Sequence, residues 1–276
     1  MRKLGINWGK SNTYDGVTKQ CYVTHLYREP FYLNINGILT LFSYLVNSLL
    51  IYQIIILLLQ PQNPNDIAMA GIYLHIPFCK TRCIYCDFYS TTRNELKSRY
   101  VQALCRELEM RKEYLKREDI ETVYFGGGTP SQLEKEDFEL IFETIRTHYG
   151  LNHCQEITLE ANPDDLTSEY LGMLSSLPFN RLSMGIQTFD DNTLKLLKRR
   201  HNARAAIEAV SRCREAGFRN ISIDLIYGLP GETKERWVND LRQAIRLDVE
   251  HISAYHLTYE EDTPIYNMLK QHQIEE

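Results

Sequence analysis

Between residues 71 and 257, short apolar runs alternate with amphipathic stretches six times, at a fairly even interval. The runs Gly71–Ile76, Ile120–Phe125, Glu156–Glu160, Arg181–Ile186, Ile221–Ile226 and His251–Leu257 have the length and residue content of strands. Between them apolar side chains recur at helical spacing. Leu96, Tyr100, Leu104 and Leu108 mark a helix between Asn94 and Leu115, and Phe138, Leu140, Ile141 and Ile145 mark the next. Ser131 is expected to cap that second helix, with Glu134 as its capping-box partner. Further helices are predicted from Thr167 or Ser168 past Leu174, over Thr193–Leu197, over Ala203–Ala216 with Gly217 as the stop, and over Glu235–Leu247. Such alternation predicts a parallel sheet covered by helices. Ser222 and Asp224 share one face of their run, which suits a curled sheet around a wet cavity better than a covered open sheet. The pattern therefore predicts an α/β fold, a partial (β/α)6 TIM-like barrel, with a doubly wound sheet as the alternative.

Each predicted strand ends at chemically loaded residues: Cys79 to Cys86, Gly126 to Thr129, Glu160, Gln187, and Tyr227 to Pro230. Ligands gather at the carboxyl ends of parallel strands, so these residues are expected around one mouth. Cys79, Cys83 and Cys86 share a single loop beside Lys80 and Arg82. Three thiolates can hold three corners of a 4Fe-4S cluster and leave the fourth iron open. A structural zinc site normally takes four protein ligands, and Cys105, Cys154 and Cys213 lie singly. Zinc and a chance grouping of inert cysteines stay as alternatives.

The remaining candidates each carry a plainer reading. Gly126-Gly127-Gly128 would let a ligand lie against backbone, or would serve a tight turn; no Lys-Ser/Thr pair follows to make a phosphate loop. Glu160 is an acceptor for a ribose diol or an ammonium group, or a surface carboxylate. Asp224 needs a partner or a wet cavity, being inside a strand. Gln187 and Arg199 come from separate elements, and Arg199 competes with Lys198 and Arg200 on what reads as a solvated helix face. Phe78, Tyr85 and Phe88 flank the cysteines and are expected to shield them, Tyr85 also to stack on an adenine. His75 is either a pocket residue or a structural histidine.

Composition narrows the classes. A net charge of -5, 24% charged residues and no sustained basic face exclude a nucleic-acid binder. Seven cysteines without a framework spacing fit a reducing compartment, so a cytoplasmic protein is expected. The first 68 residues break the pattern: no charge falls between Phe31 and Asn65, and Ile38–Leu59 is apolar enough for a membrane span. The basic flank of Arg2, Lys3, Lys10, Lys19 and Arg28 would then send Cys79 outside, away from the reducing cytoplasm. We read residues 1–68 as an extension, either translated upstream sequence or a hydrophobic anchor, with Met69 as the natural start of a functional domain over 69–276.

The motifs resemble the radical S-adenosylmethionine (SAM) enzymes. Cys79-x3-Cys83-x2-Cys86 matches their signature. Its setting, Ile76-Pro77-Phe78-Cys79 and Tyr85-Cys86-Asp87-Phe88, is similar to the branch of oxygen-independent coproporphyrinogen III oxidase and the heme chaperone HemW. Tyr124 to Ser131, Leu159 to Pro163, Gly185 to Phe189, Asp224 to Gly231 and Ser253 to Thr258 match further motifs in order, from Met69 to the end. The resemblance implies a (β/α)6 barrel whose Cys79, Cys83 and Cys86 ligate the cluster. It also implies SAM contacts from Tyr73, Tyr85, Phe88, Gly126, Gly127, Gly128, Thr129, Glu160, Gln187, Arg199 and Asp224.

Two departures refine what is implied. The oxidases carry a further cysteine two residues after the third ligand, where this chain has Phe88. That favours the HemW-like reading: heme bound as cargo and delivered to membrane respiratory proteins, with a flavodoxin- or ferredoxin-like reductant and peripheral membrane association. Coproporphyrinogen oxidase and a zinc-stabilised structural domain are the alternatives, and catalytic turnover is left open. The family also continues into a smaller C-terminal domain with a His-Asn-x-x-Tyr-Trp segment, and the barrel read here stops before it. His256 and His201 are the available candidates for a heme ligand, each equally a structural residue.

Overall fold

The computed structural model describes residues 24–28, 69–115 and 118–276. Its sheet runs in chain order, from β1 (Thr24–Arg28) through β2 (Met69–Ile76), β3 (Asp119–Gly127), β4 (Glu156–Ala161), β5 (Arg181–Gln187) and β6 (Asn220–Tyr227) to β7 (His251–His256). β2 to β7 are mutually parallel, and β1 adds antiparallel to the outer side of β2. Every parallel strand lies beside its predecessor, so the order never reverses. A doubly wound sheet needs such a reversal, which removes that alternative and leaves the partial (β/α)6 barrel. Among the described strands β7 pairs with β6 alone, so the barrel is open.

Among the described residues seven helices flank the sheet: α1 (Lys97–Met110), α2 (Lys135–His148), α3 (Ser168–Leu174), α4 (Asp191–Leu196), α5 (Ala203–Glu215), α6 (Lys234–Arg246) and α7 (Pro264–Lys270). Period-two alternation sends Leu182, Met184 and Ile186 of β5 outward to the helices and leaves Ser183 on the inner face. Phe125 of β3 meets Phe138 and Phe142 of α2 and Phe179 at ring-centroid distances of 5.2–5.7 Å, mostly edge to face. Thr167 caps α3, as expected, by accepting the Tyr170 amide. Ser131 does not cap α2. Pro130 opens a short 3-10 turn that ends at Gln132, and Glu134 becomes the cap with Asp137 as its partner.

The predicted extension over 1–68 contributes only β1 to the described residues, a strand with no counterpart in the sequence reading. The apolar stretch Ile38–Leu59 lies outside them. No helix among the described residues is long and apolar enough to cross a membrane.

The loops at the carboxyl ends of the strands are fastened to one carboxylate. Asp165, with a side chain 2% exposed, accepts from Lys80 Nζ (2.9 Å), Ser131 Oγ (2.9 Å), Gln132 Nε2 (2.8 Å) and Arg200 Nη2 (3.1 Å). It thus binds the loops after β2, β3 and β4 to the segment after α4. Beside it, a second apolar cluster joins Ile84 of the cysteine loop to Leu197, Ile226, Leu229, Leu257 and Ile265 of α7. The Ile265 amide also donates to the Ile84 carbonyl at 3.1 Å.

Two stability predictions come from this packing. Replacing Asp165 by alanine leaves Lys80 and two neutral donors without this acceptor and Arg200 with Asp164 alone, and should lower unfolding stability by about 3 kcal/mol. Urea denaturation with an unchanged m-value checks it; a loss below about 1 kcal/mol would contradict the hub. His201 is buried with Nε2 on the Ile186 carbonyl at 3.1 Å. Burial, then the nearby Arg199 charge, holds its imidazole down to about 4 against an ordinary 6.5. The unfolded chain binds the proton first, so this contribution is whole above pH 6.5 and is lost as pH falls towards 4, by up to about 3 kcal/mol. Between those limits the wild type should lose more stability than His201→Gln, which keeps a donor for Ile186.

Candidate functional site

The loop after β2 bends back on itself through paired backbone bonds. The Cys79 amide donates to Thr91 O (2.9 Å) and the Thr91 amide to Pro77 O (2.7 Å). These hold Cys79 at the strand end, where it is buried, while Cys83 and Cys86 are partly open. A different donor reaches each sulfur. Thr129 Oγ1 lies 3.5 Å from Cys79 Sγ, Arg199 Nη1 lies 3.4 Å from Cys83 Sγ, and the Phe88 amide donates to Cys86. Burial nonetheless pushes the Cys79 and Cys86 thiols up, with Thr129 and the Phe88 amide opposing it. A metal would take these thiols as thiolates.

Beside the cysteines, β3 ends in Gly126-Gly127-Gly128, whose last amide donates to Ile76 O at 2.8 Å. Gly127 has φ +111°, and a Cβ there would fall 2.6 Å from the His75 ring. Its amide donates to Glu160 Oε2 at 3.1 Å, and Tyr124 Oη donates to Glu160 Oε1 at 2.8 Å. Glu160 is therefore aimed by its neighbours. Tyr73 stacks on Tyr124 with centroids 5.8 Å apart, which puts an aromatic wall on the β2 side of that carboxylate. His75 Nε2 lies 2.9 Å from Tyr89 O, so its ring ties the strand end to the cysteine loop.

On the opposite side, Arg199 turns inward. The helix face expected for residues 198–200 does not exist, because α4 ends at Leu196 and Lys198 takes a left-handed φ of 58°. Lys198 is exposed, Arg200 pairs with Asp164 and Asp165, and Arg199 donates to Asn162 Oδ1 and Gly185 O besides Cys83. Its Nε is buried with no partner, a donor unspent at the mouth. Gln187 reaches back over Gly185, next to Arg199. Asp224 lies on the inner face of β6 beside Ser183 and Ser253; burial pushes its carboxyl up, and those hydroxyls with Arg181 and His251 draw it partly back.

The structure thus brings Cys79, Cys83, Thr129, Glu160, Gln187 and Arg199 to one mouth and places Asp224 on the inner wall below. Phe78 and Tyr85 pack in the two apolar clusters. Phe88 is 57% exposed, so its backbone amide rather than its ring reaches the cysteines. His201 is fixed on Ile186 O, and His256, at the carboxyl end of β7, packs edge-on against Tyr227 at 5.2 Å. Cys105, Cys154 and Cys213 sit apart, and burial raises all three thiols, Cys213 to about 12. Asn162 and Asp165 were not among the predicted site residues. An Asn-Pro-Asp-Asp loop reads as solvated, although the two carboxylates after the proline were a visible signal.

The donor set fits the implied groups. Three thiols on one loop, a glycine edge, a braced carboxylate and a guanidinium with a spare N–H could hold an iron–sulfur cluster with an amino-acid or nucleoside ligand. Among the described residues, no three His, Cys, Asp or Glu side chains stand close enough to hold one metal ion.

Comparison with known proteins agrees with this geometry. Residues 73–244 match the Radical SAM superfamily. The heme chaperone HemW of Bacillus subtilis is 38% identical over 204 residues, covering 73% of this chain and 54% of the relative. That of Escherichia coli is 36% identical over 195 residues, covering 70% and 52%. Among solved structures, coproporphyrinogen III oxidase (HemN) from Escherichia coli, a radical SAM enzyme, superposes with a TM-score of 0.66 at 28% identity, covering 75% of this chain and 47% of that one. The chain spans about half the length of the curated relatives it matches. On its match across most of the barrel, the chain belongs to the radical SAM superfamily, and its homology within it runs to the HemW-like proteins.

Proposed function

We propose that the chain binds a 4Fe-4S cluster through Cys79, Cys83 and Cys86, takes SAM at the open iron, and acts as a HemW-like carrier that passes heme to respiratory proteins. The observation that supports it most is the pair of contacts from Thr129 to Cys79 and from Arg199 to Cys83. Through them the loop after β3 and the segment after α4 each reach a thiol of the cysteine loop. When bound, a reduced cluster supplies an electron to the sulfonium of SAM.

The chain's own residues would then bind and orient. Glu160, fixed by Tyr124 and Gly127, offers acceptors to the ammonium or the ribose diol. Gly126 to Thr129 give the ligand a backbone edge, and Gln187 and Asp224 line the wall across from it. Arg199 stabilises a cysteine thiolate and keeps one N–H for a carboxylate. Tyr85 and the apolar cluster behind it exclude water from that side.

Phe88 at the position of the oxidases' extra cysteine, with HemW proteins as relatives, favours a carrier over coproporphyrinogen oxidation. Its partners on this reading are SAM, heme, a flavodoxin- or ferredoxin-like reductant and heme-accepting membrane proteins, in the cytoplasm or at its membrane edge.

Anaerobic reconstitution with iron and sulfide should give about four irons per chain, as three thiolates closing one cubane require. The reduced paramagnetic signal should move when SAM is added, and Cys83→Ala should lose the cluster. Zinc in place of iron, or a signal indifferent to SAM, would overturn the reading. The reconstituted protein should also bind heme in an equimolar ratio, followed by its Soret band, and leave coproporphyrinogen III unconverted. Steady appearance of protoporphyrinogen would make it an oxidase instead.

A further inference from the structure

Gln187 is held in a conformation it would not adopt alone. Its φ is +74°, in the left-handed region that a side chain disfavours, and β5 is bulged there. Gly185 pairs with Asp224 and Gln187 with the very next residue, Leu225, so Ile186 is the extra residue. The turn folds the Gln187 side chain back along its own strand. A Cβ on Gly185 would stand 2.7 Å from Gln187 Nε2 and 3.4 Å from Arg199 Nη2, so glycine is what leaves room for that amide. Left-handed residues with side chains persist only where their surroundings fix them.

The residues on both sides of Gln187 are fixed, and from outside the mouth. Ahead of it, the Ile186 carbonyl accepts from His201 Nε2. After it, both neighbours are bound to one carboxylate of α6. Thr188 Oγ1 donates to Asp240 Oδ2 at 2.6 Å, and the Phe189 amide donates to Asp240 Oδ1 at 2.9 Å. The Thr188 hydroxyl in turn accepts the Asp190 amide at 3.1 Å, which carries the same grip into the cap of α4. Asp240 is 5% exposed and Thr188 2%. No lysine or arginine among the described residues pairs with Asp240, and the like charge of Asp190 acts on it. A buried carboxylate without a cation is expensive, and an apolar residue would fill the same place in α6 at less cost. What Asp240 does that an apolar residue cannot is accept two hydrogen bonds from the turn that follows Gln187.

We propose that Asp240 is a positioning residue. From the helix layer it clamps Thr188 and Phe189, and so holds Gln187 in the left-handed turn that lays its amide over Gly185 beside Arg199. The consequence for SAM binding rests on the proposed function; the conformational claim does not.

The test is a cycle of Asp240→Asn, Gln187→Ala and their combination in the full chain, with SAM affinity of the reconstituted protein measured by equilibrium dialysis. Asparagine keeps the shape but can accept only one of the two bonds. Each single variant should weaken SAM binding about tenfold, the size of one lost hydrogen bond. The double variant should bind no worse than Gln187→Ala, because Asp240 acts only through Gln187. Independent, multiplying losses would show a general structural role and overturn the proposal, as would unchanged affinity in Asp240→Asn. Thr188→Val removes one clamp bond without touching α6 and should reproduce the loss if Asp240→Asn does not fold. Crystal structures of the cluster-free Asp240→Asn or Thr188→Val protein give the second arm. Gln187 leaving its left-handed φ and swinging off Gly185 supports the clamp; Gln187 unmoved refutes it, even if the wild type proves not to bind SAM.

Discussion

The mouth of this barrel depends on bringing charged and polar loops together without water between them, and Asp165 is where that is achieved. Its carboxylate takes hydrogen bonds from two loops and one inter-helix segment while almost wholly buried. Two cations share it, Lys80 half exposed and Arg200 largely covered, so its charge is compensated unevenly. Arg200 contributes more to holding the site, because a covered pair is less screened than an exposed one. Arg199 follows from that anchor. With Arg200 pulled to Asp165 and Lys198 turned out, the guanidinium between them is directed to Cys83 and Asn162.

The layers of the barrel were legible because they obey simple periods. The outward residues of β5 and β6 alternate with inward ones, and each strand ended within a residue or two of where its apolar run stopped. The position of the mouth was legible for the same reason, since chemistry collected at the carboxyl ends of those runs. The residues alone left Arg199 open between site and surface because Leu196 to Arg200 reads as a charged helix end, and a left-handed residue at 198 leaves no mark in the sequence.

Asp165 and Asp240 were invisible for a different reason. An aspartate in a polar loop, or between Asn239 and Leu241 on an amphipathic helix, looks solvated, and only distant loops supply the donors that bury it. α7 escaped because it is only seven residues long, although Ile265, Met268 and Leu269 stand at helical spacing behind Thr263 and Pro264. Ser131 shows the converse: its local pattern is that of a helix cap, and a distant carboxylate outbids it for the hydroxyl.

The join between α7 and the cysteine loop has a mechanical side. Ile265 touches Ile84 through both its side chain and its amide, one residue from Cys83 and two from Cys86. Any force or partner that shifts α7 is therefore transmitted within a few ångströms to two of the three thiols. The end of the barrel thus works as a lever on the loop: polypeptide docking against α7 could tighten or slacken the spacing of those sulfurs without approaching them.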